Sequence, residues 1–305
     1  MPPRAGTSTP PLLAAWLQAA TADLLDTAGI TPGASVLDLA AGAGEQTLDI
    51  ARRVGPGGQV LATDISPAIL ALASARFQHA GLGWVQTRVL DAQALGQITG
   101  PVSDEPDAGF DAQLVQPFAP PFDAVVCRLG LMLCPQPQAV LTGALATLRP
   151  GGRFAALVFG AAQDNPCITT LVSTALRHAG LPSAAPAASA AQPSPPGTLL
   201  SLGQPGLLAG LLAAAGFAQV TVRSINAPMR LPSAQHYIDF VRTAGGPVMA
   251  ILAPLSADAQ RDAWFDIAQQ LARFNTADGW VGPNALLLCA GTRPPLATVE
   301  LGQAA

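Results

Sequence analysis

Short apolar runs recur along the chain, and turn residues or longer mixed segments separate them. Runs of this kind predict buried strands, and the longer segments between them predict helices. The predicted strands cover residues 35–39, 59–63, 84–90, 122–127, 153–159, 217–223 and 285–290. The predicted helices of this part cover residues 11–28, 45–54, 67–79 and 137–148. Strands that alternate with helices in this way predict an α/β fold built on a mostly parallel sheet.

Three insertions interrupt the alternation. The segment 96–120 makes the connection between the strands 84–90 and 122–127 longer than such a connection usually is, and its role is left open. Residues 161–198 include a run of Ala, Pro, Ser and Gln that predicts a flexible loop, because this composition buries little apolar surface. Residues 229–283 precede the last strand. We predict that the last two insertions form a helical lid over the carboxyl ends of the strands, where open α/β sheets bind ligands.

The predicted organisation follows from these segments. It comprises a core with an N-terminal helix (1–160), a first lid insertion (161–198), a continuation of the core with a helix and the sixth strand (199–228), a second lid insertion (229–283), and the final strand with a tail (284–305).

The most informative motif joins the first two strands. The first strand leads into a loop with Gly42 and Gly44, and Asp64 closes the second strand twenty residues after Gly44. Glycine lets the backbone approach a ligand closely and adopt a positive φ, and a carboxylate at a strand tip can accept both hydroxyls of a ribose. The motif therefore predicts a nucleoside-binding βαβ unit.

Dinucleotides such as NAD and sulfonium nucleosides can both bind to a βαβ unit of this kind. A dinucleotide fingerprint places a third glycine three residues after the second, where this chain has Thr47. The chain also contains no lysine, so it cannot hold the Tyr-x-x-x-Lys pair of many NAD-dependent oxidoreductases. Instead, Asp38, Asp64 and Asp91 accompany the ends of three successive strands. Such acids suit a cationic sulfonium nucleoside with an amino group better than they suit a pyrophosphate.

With these motifs, the chain resembles the class I S-adenosylmethionine (SAM)-dependent methyltransferases. It is most similar to their small-molecule branch, which is related to the ubiquinone and menaquinone biosynthesis C-methyltransferases. The matching segments are residues 38–44, 64, 90–92, 122–126 and 148–154. The resemblance implies a Rossmann-like sheet of seven strands in the order 3-2-1-4-5-7-6, with helices on both faces. It also implies SAM as the methyl donor and S-adenosylhomocysteine as the product.

The resemblance further implies a cofactor site at the carboxyl ends of the strands. The backbone at Gly42 and Gly44 would approach the ribose and methionine portions. Asp64 would accept hydrogen bonds from the ribose hydroxyls, and Asp91 would accept one from the adenine amino group. Ile65 would provide an apolar contact for the adenine ring. A purely structural role is the alternative for each residue. The complete predicted set is Asp38, Ala40, Gly42, Gly44, Asp64, Ile65, Leu90, Asp91, Ala92 and Arg128.

Two members of this set have open roles. Asp38 would act through its backbone, through water or on the methionine ammonium. Arg128 follows an apolar strand, and its guanidinium could meet the cofactor carboxylate, an anionic substrate or a structural salt bridge.

Methyl transfer needs little from the protein beyond geometry, because the sulfonium is already an activated electrophile. A general base is required only if the attacking atom carries a proton. We predict His236 and Tyr237 as catalytic candidates. C-, N- and O-methylation all stay open. The alternatives are a SAM-binding protein with a cyclase-like or regulatory role, and an NAD-dependent oxidoreductase.

Composition narrows the possible partners. Charged residues make up 11% of the 305, and the net charge of −4 gives no basic patch, so nucleic acid is not an expected partner. The apolar runs are shorter than the roughly 20 residues of a membrane span, and we expect a cytoplasmic protein. The four cysteines are scattered, and we predict neither a metal site nor a disulfide. Monomer and homodimer are both left open.

Overall fold

The computed structural model describes residues 12–99, 121–182, 194–244 and 246–295. Most of the insertion at 96–120 and the central part of the Ala/Pro/Ser run therefore lie outside the described residues. The strands are β1 (Ser35–Leu39), β2 (Gln59–Asp64), β3 (Val85–Val89), β4 (Phe122–Arg128), β5 (Leu148–Phe159), β6 (Ala218–Asn226), β7 (Met229–Leu231), β8 (Asn275–Thr276), β9 (Gly279–Gly282) and β10 (Ala285–Thr292). The α-helices are α1 (Leu12–Thr27), α2 (Glu45–Val54), α3 (Pro67–His79), α4 (Pro137–Thr147), α5 (Pro166–His178), α6 (Leu207–Ala214), α7 (Ala234–Ala244), α8 (Pro247–Leu252) and α9 (Ala257–Leu271).

Seven strands form one sheet in the order β3-β2-β1-β4-β5-β10-β6. The first five run parallel to one another, and β10 runs antiparallel to both β5 and β6. β10 is the strand predicted as the seventh, so this arrangement confirms the predicted fold class and strand order. β5 begins five residues earlier than predicted, because Leu148 already pairs with Phe122 of β4.

The central strands are buried on both faces, which explains why they read as continuous apolar runs rather than as alternating ones. Val36 and Leu37 of β1 and Val125 and Val126 of β4 have no measurable exposure. Helices cover both sides of such a sheet, so the apolar side chains of these strands pack against apolar neighbours.

The segment between β6 and β10 forms a second apolar cluster, which we call the lid cluster. It is centred on Trp280, whose ring stacks on Tyr237 at a centroid distance of 4.9 Å and whose indole N–H donates to the Leu271 carbonyl. Helices α7, α8 and α9 contribute to it, as does α5. The same segment also contains a small antiparallel sheet, β7-β9-β8, which the prediction of a helical segment missed. The segment boundaries that we predicted for core and lid stay predictions.

Helix α1 lies between the core and the lid cluster. Trp16 packs against both clusters, stacks on Phe159 at 6.2 Å and donates its indole N–H to the Ala227 carbonyl at 2.8 Å. Within the described ranges, none of the helices combines the length and the apolar character that crossing a membrane requires.

Candidate cofactor site

The loop between β1 and α2 owes its shape to two glycines that serve different purposes. Gly42 has φ 57° and Gly44 has φ 84°, both in the left-handed region that disfavours side chains. A Cβ on Gly44 would lie 2.5 Å from Cζ of Phe77, so this glycine lets α2 pack against α3. A Cβ on Gly42 would meet only Ile69, at 4.0 Å. Gly42 therefore faces open space, as a backbone that receives a ligand must.

Asp64 fastens this loop to the end of β2. One of its carboxylate oxygens accepts the Gly42 N–H and the other accepts the Ser66 N–H, each at 3.0 Å. A carboxylate oxygen can accept more than one hydrogen bond, so each keeps capacity for a hydroxyl. Ile65, the next residue, is 68% exposed despite its large apolar side chain. The structure thus brings Gly42, Asp64 and Ile65 to one edge of the sheet, as the motif predicted.

The segment after β3 lies beside Asp64. The N–H of Leu90 donates to the Asp64 carbonyl at 3.0 Å, and Leu90, Asp91 and Ala92 are all partly buried. The Asp91 carboxylate accepts the backbone N–H of Gln93 at 2.9 Å. The side-chain oxygen of Gln93 in turn accepts the backbone N–H of Gln136 just before α4. Gln93, which the sequence analysis did not single out, therefore ties this edge of the site to α4.

Asp38 has a different environment from the other two acids. It is fully buried, and its two oxygens accept hydrogen bonds from Nε2 of Gln46 at 2.6 Å and from Oγ1 of Thr47 at 2.7 Å. Burial raises the pKa of Asp38 to about 6, and the two hydrogen bonds and Arg128 only partly offset this. Asp38 therefore anchors the first turn of α2, and Thr47 fills the place of the missing third glycine as its partner. A direct contact of Asp38 with a cofactor stays a prediction.

Arg128 ends β4 at the point where the strand order reverses between β1 and β4, which is where open α/β sheets bind ligands. Its side chain is 10% exposed. One guanidinium nitrogen donates to Oγ1 of Thr21 at 2.9 Å, and another lies 3.9 Å from the Glu45 carboxylate. Burial lowers the pKa of Arg128, while Asp38 and Glu45 act in the opposite direction. An arginine stays charged in proteins, so the site contains a nearly buried cation.

Thr21, Gln46 and Gln93 were missed by the sequence analysis. For Thr21 a signal existed: it lies four residues after Leu17 and four before Leu25, both buried on α1. A polar residue on the apolar face of a helix needs a hydrogen-bond partner. For Gln46 and Gln93, no local pattern separates these glutamines from surface ones.

The two catalytic candidates lie at the start of α7, in the lid. His236 is exposed, with Nδ1 at 2.9 Å from Oγ of Ser233. Tyr237 is 5% exposed within the lid cluster, and burial raises the pKa of its hydroxyl. A raised pKa opposes the use of Tyr237 as a base. Their catalytic assignment stays a prediction.

A separate cavity of about 530 Å³ opens at the other end of the strands, and its lining includes Asp123, Arg149 and Arg153. Asp123, the second residue of β4, pairs with Arg149 near the start of β5, at 2.5 Å. This cavity lies at the amino ends of the strands, so it is distinct from the cofactor site.

Comparison with known proteins places these features in a family. Residues 30–185, just over half of the chain, match a family model described as a methyltransferase domain. Nocamycin O-methyltransferase of Saccharothrix syringae is 29% identical over 265 residues, which cover 85% of this chain and 84% of that protein. A ubiquinone/menaquinone biosynthesis C-methyltransferase of Teredinibacter turnerae is 31% identical over 142 residues, which cover 46% of this chain and 49% of that one.

Among solved structures, the YcgJ protein of Bacillus subtilis superposes with a TM-score of 0.57. The superposition covers 91% of this chain and 99% of that one at 17% identity. At this identity the likeness concerns the fold alone. It supports the Rossmann-like arrangement described above.

Proposed function

Because this chain belongs to the class I SAM-dependent methyltransferases, we propose that it transfers the methyl group of SAM to a small-molecule acceptor and releases S-adenosylhomocysteine. The observation that carries the proposal is the pair of hydrogen bonds by which Asp64 holds Gly42 and Ser66 beside the exposed Ile65. This arrangement offers a carboxylate, a sterically open backbone at Gly42 and an apolar surface to one nucleoside. The family match sets aside the alternative of an NAD-dependent oxidoreductase.

The proposed cofactor contacts fall into three groups, for the nucleoside, for the loop that receives it, and for the methionine carboxylate. Asp64 accepts the ribose hydroxyls, Asp91 accepts the adenine amino group, and Ile65 with Leu90 and Ala92 provides apolar surface for the base. Gly42 and Gly44 shape the loop that receives the ribose and the methionine portion, with Ala40 at its start. Arg128 supplies a positive charge at the same edge of the sheet, which suits the carboxylate of an amino acid.

When bound, SAM supplies a methyl group on a cationic sulfur that needs no further activation. The chain's own contribution is to hold donor and acceptor in line and to exclude water. If the acceptor is a hydroxyl, a group must also take its proton, and His236 is the proposed base. His236 is exposed on α7, so its imidazole is accessible to a ligand, unlike the buried hydroxyl of Tyr237.

The acceptor is proposed to be a small metabolite with a hydroxyl group. Support comes from the nocamycin relative, an O-methyltransferase that aligns over most of both chains. The C-methyltransferase relative aligns over less than half of this chain, so it weighs less. Residues of the lid then select the acceptor, because the core segments serve the cofactor.

Calorimetric titration of the purified chain with SAM, S-adenosylhomocysteine and NAD tests the cofactor. We expect binding of both SAM compounds and not of NAD, and a loss of about a hundredfold in Asp64→Ala, since two hydrogen bonds to a charged group are removed. Asp258→Ala is the matched control, because Asp258 is an exposed acid of α9 paired only with the neighbouring Arg261 among the described residues. Binding of NAD, or equal losses in the two variants, would contradict the assignment.

Transfer of a labelled methyl group from SAM to a panel of phenols, enols, quinols and amines tests the reaction. The proposal expects labelled product with hydroxyl acceptors first. Cofactor binding without product from any acceptor would favour the non-methylating alternative.

A further inference from the structure

We propose that Thr21 is a positioning residue, which holds the Arg128 guanidinium toward the carboxylate of the methionine portion of SAM. The inference rests on the proposed function and adds a residue of α1 to the cofactor site. It concerns recognition of the cofactor carboxylate, whereas the chemistry at the methyl group is unaffected.

The contact between Thr21 and Arg128 joins two elements that are far apart in the sequence. Thr21 is 2% exposed, and its hydroxyl accepts a guanidinium N–H at 2.9 Å across 107 residues of sequence. Apolar neighbours surround it on α1, because Leu17, Leu24 and Leu25 are all buried. A hydroxyl in such a place is costly unless it is bonded, so the pair specifies one position for the guanidinium.

Arg128 has more donors than its protein partners use. A guanidinium carries five N–H donors, and within the described ranges one nitrogen bonds to Thr21. Glu45, at 3.9 Å, supplies charge without a close hydrogen bond. A nearly buried guanidinium with free donors is suited to a carboxylate, which accepts two parallel hydrogen bonds.

The sheet register places this cation beside the glycine loop. Leu39 at the end of β1 pairs with Cys127, so Arg128 lies next to Ala40, where that loop begins. The same loop carries Gly42 and its bond to Asp64. An amino acid group attached to a nucleoside on this loop therefore extends toward Arg128.

Glu45 explains why the position of Arg128 needs a second restraint. Without the Thr21 hydroxyl, the guanidinium is free to close the 3.9 Å gap to the Glu45 carboxylate. A close, hydrogen-bonded ion pair with Glu45 would occupy the guanidinium donors that the cofactor carboxylate uses. Thr21 thus keeps the Arg128 guanidinium available to the cofactor carboxylate.

The test compares SAM with decarboxylated SAM, which keeps the nucleoside, the sulfonium and the amine. Thr21→Val preserves the shape of the side chain and removes the acceptor, and Thr21→Ser keeps the hydroxyl. We expect Thr21→Val to weaken SAM binding about tenfold and to change binding of decarboxylated SAM by less than about twofold. Thr21→Ser should bind both ligands within about twofold of the original chain. Thr147→Val, which removes another buried hydroxyl on α4, should change neither.

Unchanged SAM binding in Thr21→Val overturns the inference, as does an equal loss for both ligands, which would indicate a merely structural role. A serine variant as weak as the valine variant also overturns it. If the original chain binds neither ligand, the proposed function has failed instead. Thermal unfolding of each variant confirms that the fold is intact before binding is compared.

Discussion

The loops after β1 and β4 meet at Ala40 and Gly130. A Cβ added to Gly130 would lie 2.4 Å from the Cβ of Ala40, well inside van der Waals contact. Ala40 itself has φ 52°, a left-handed conformation that costs a residue with a side chain about 1 kcal/mol or more. The two loops therefore touch at the reversal of the strand order, where the candidate site lies.

Gly130→Ala should lower the free energy of unfolding by about 2 kcal/mol, because the new methyl group overpacks this contact. Ala40→Gly alone should change stability by less than about 1 kcal/mol, since relief of the positive φ offsets the added chain entropy. The double variant should recover much of the loss, although Sγ of Cys127, 3.1 Å from the new Cβ, limits the recovery. Denaturant unfolding of all four chains measures the coupling, and additive effects would contradict the contact.

The buried side chain of Asn165 links the segment after β5 to the start of β10, and we predict that this link stabilises the fold. Asn165 is fully buried, its amide N–H groups donate to the carbonyls of Ala161 and Ala285, and its oxygen accepts the Ala285 N–H, all at 3.0 Å. Asn165→Ala leaves the partly buried Ala285 N–H without this partner, so we expect a loss of about 2 kcal/mol in unfolding free energy. Asn226→Ala, at an exposed position of β6, should change stability by less than about 0.5 kcal/mol. Similar effects of the two variants would contradict a stabilising role for the hydrogen bonds of Asn165.

The parts of the fold that the sequence predicted share one property, which is that their signals are local. Gly42 and Asp64 belong to one βαβ unit, so the spacing of that unit alone places the loop beside the strand end. The bond between Thr21 and Arg128 spans 107 residues, and that between Trp16 and Ala227 spans 211. Such contacts depend on how α1 packs, and no periodicity in either segment encodes the partner.

Strand length explains why the prediction missed the small sheet β7-β9-β8 in the lid segment. β7, β8 and β9 contain three, two and four residues. An alternating pattern needs about four residues or more to be visible. β7 and β8 are therefore too short to leave a signal, and β9 only just reaches this length and begins and ends with a glycine. They form because the lid cluster around Trp280 brings them together, which is a tertiary effect rather than a local preference.

Substitution of the two lid candidates separates catalysis from packing. If His236 takes a proton from a hydroxyl acceptor, His236→Gln should lower kcat about a hundredfold while SAM binding is kept. Tyr237→Phe should stay within about threefold, because the hydroxyl is buried and its raised pKa opposes deprotonation. His79→Gln, at an exposed position of α3, is the matched control. Steady-state kinetics with the best acceptor measures all three, and full activity in His236→Gln would remove the proposed base.

The buried carboxyl of Asp38 makes stability depend on pH in an identifiable direction. Its pKa rises from 3.8 to about 6 on folding, so the folded chain binds a proton that the unfolded chain releases earlier. Stability from this group is therefore complete below about pH 4 and is lost as the pH rises through about 6. A shift of this size corresponds to about 3 kcal/mol at neutral pH.

Asp38→Asn should remove this dependence, because the amide stays neutral and can still accept from Gln46 while it donates to the Thr47 hydroxyl. We expect the variant to be the more stable chain near pH 8, and its advantage to grow by about 1 kcal/mol between about pH 5 and pH 8. Denaturant unfolding without cofactor across this range measures the difference. Asp258→Asn, an exposed acid in α9, should show no such growth. A constant difference between Asp38→Asn and the original chain would mean that the carboxylate is charged in the fold at all of these pH values, so the donors from α2, and not burial, would control it.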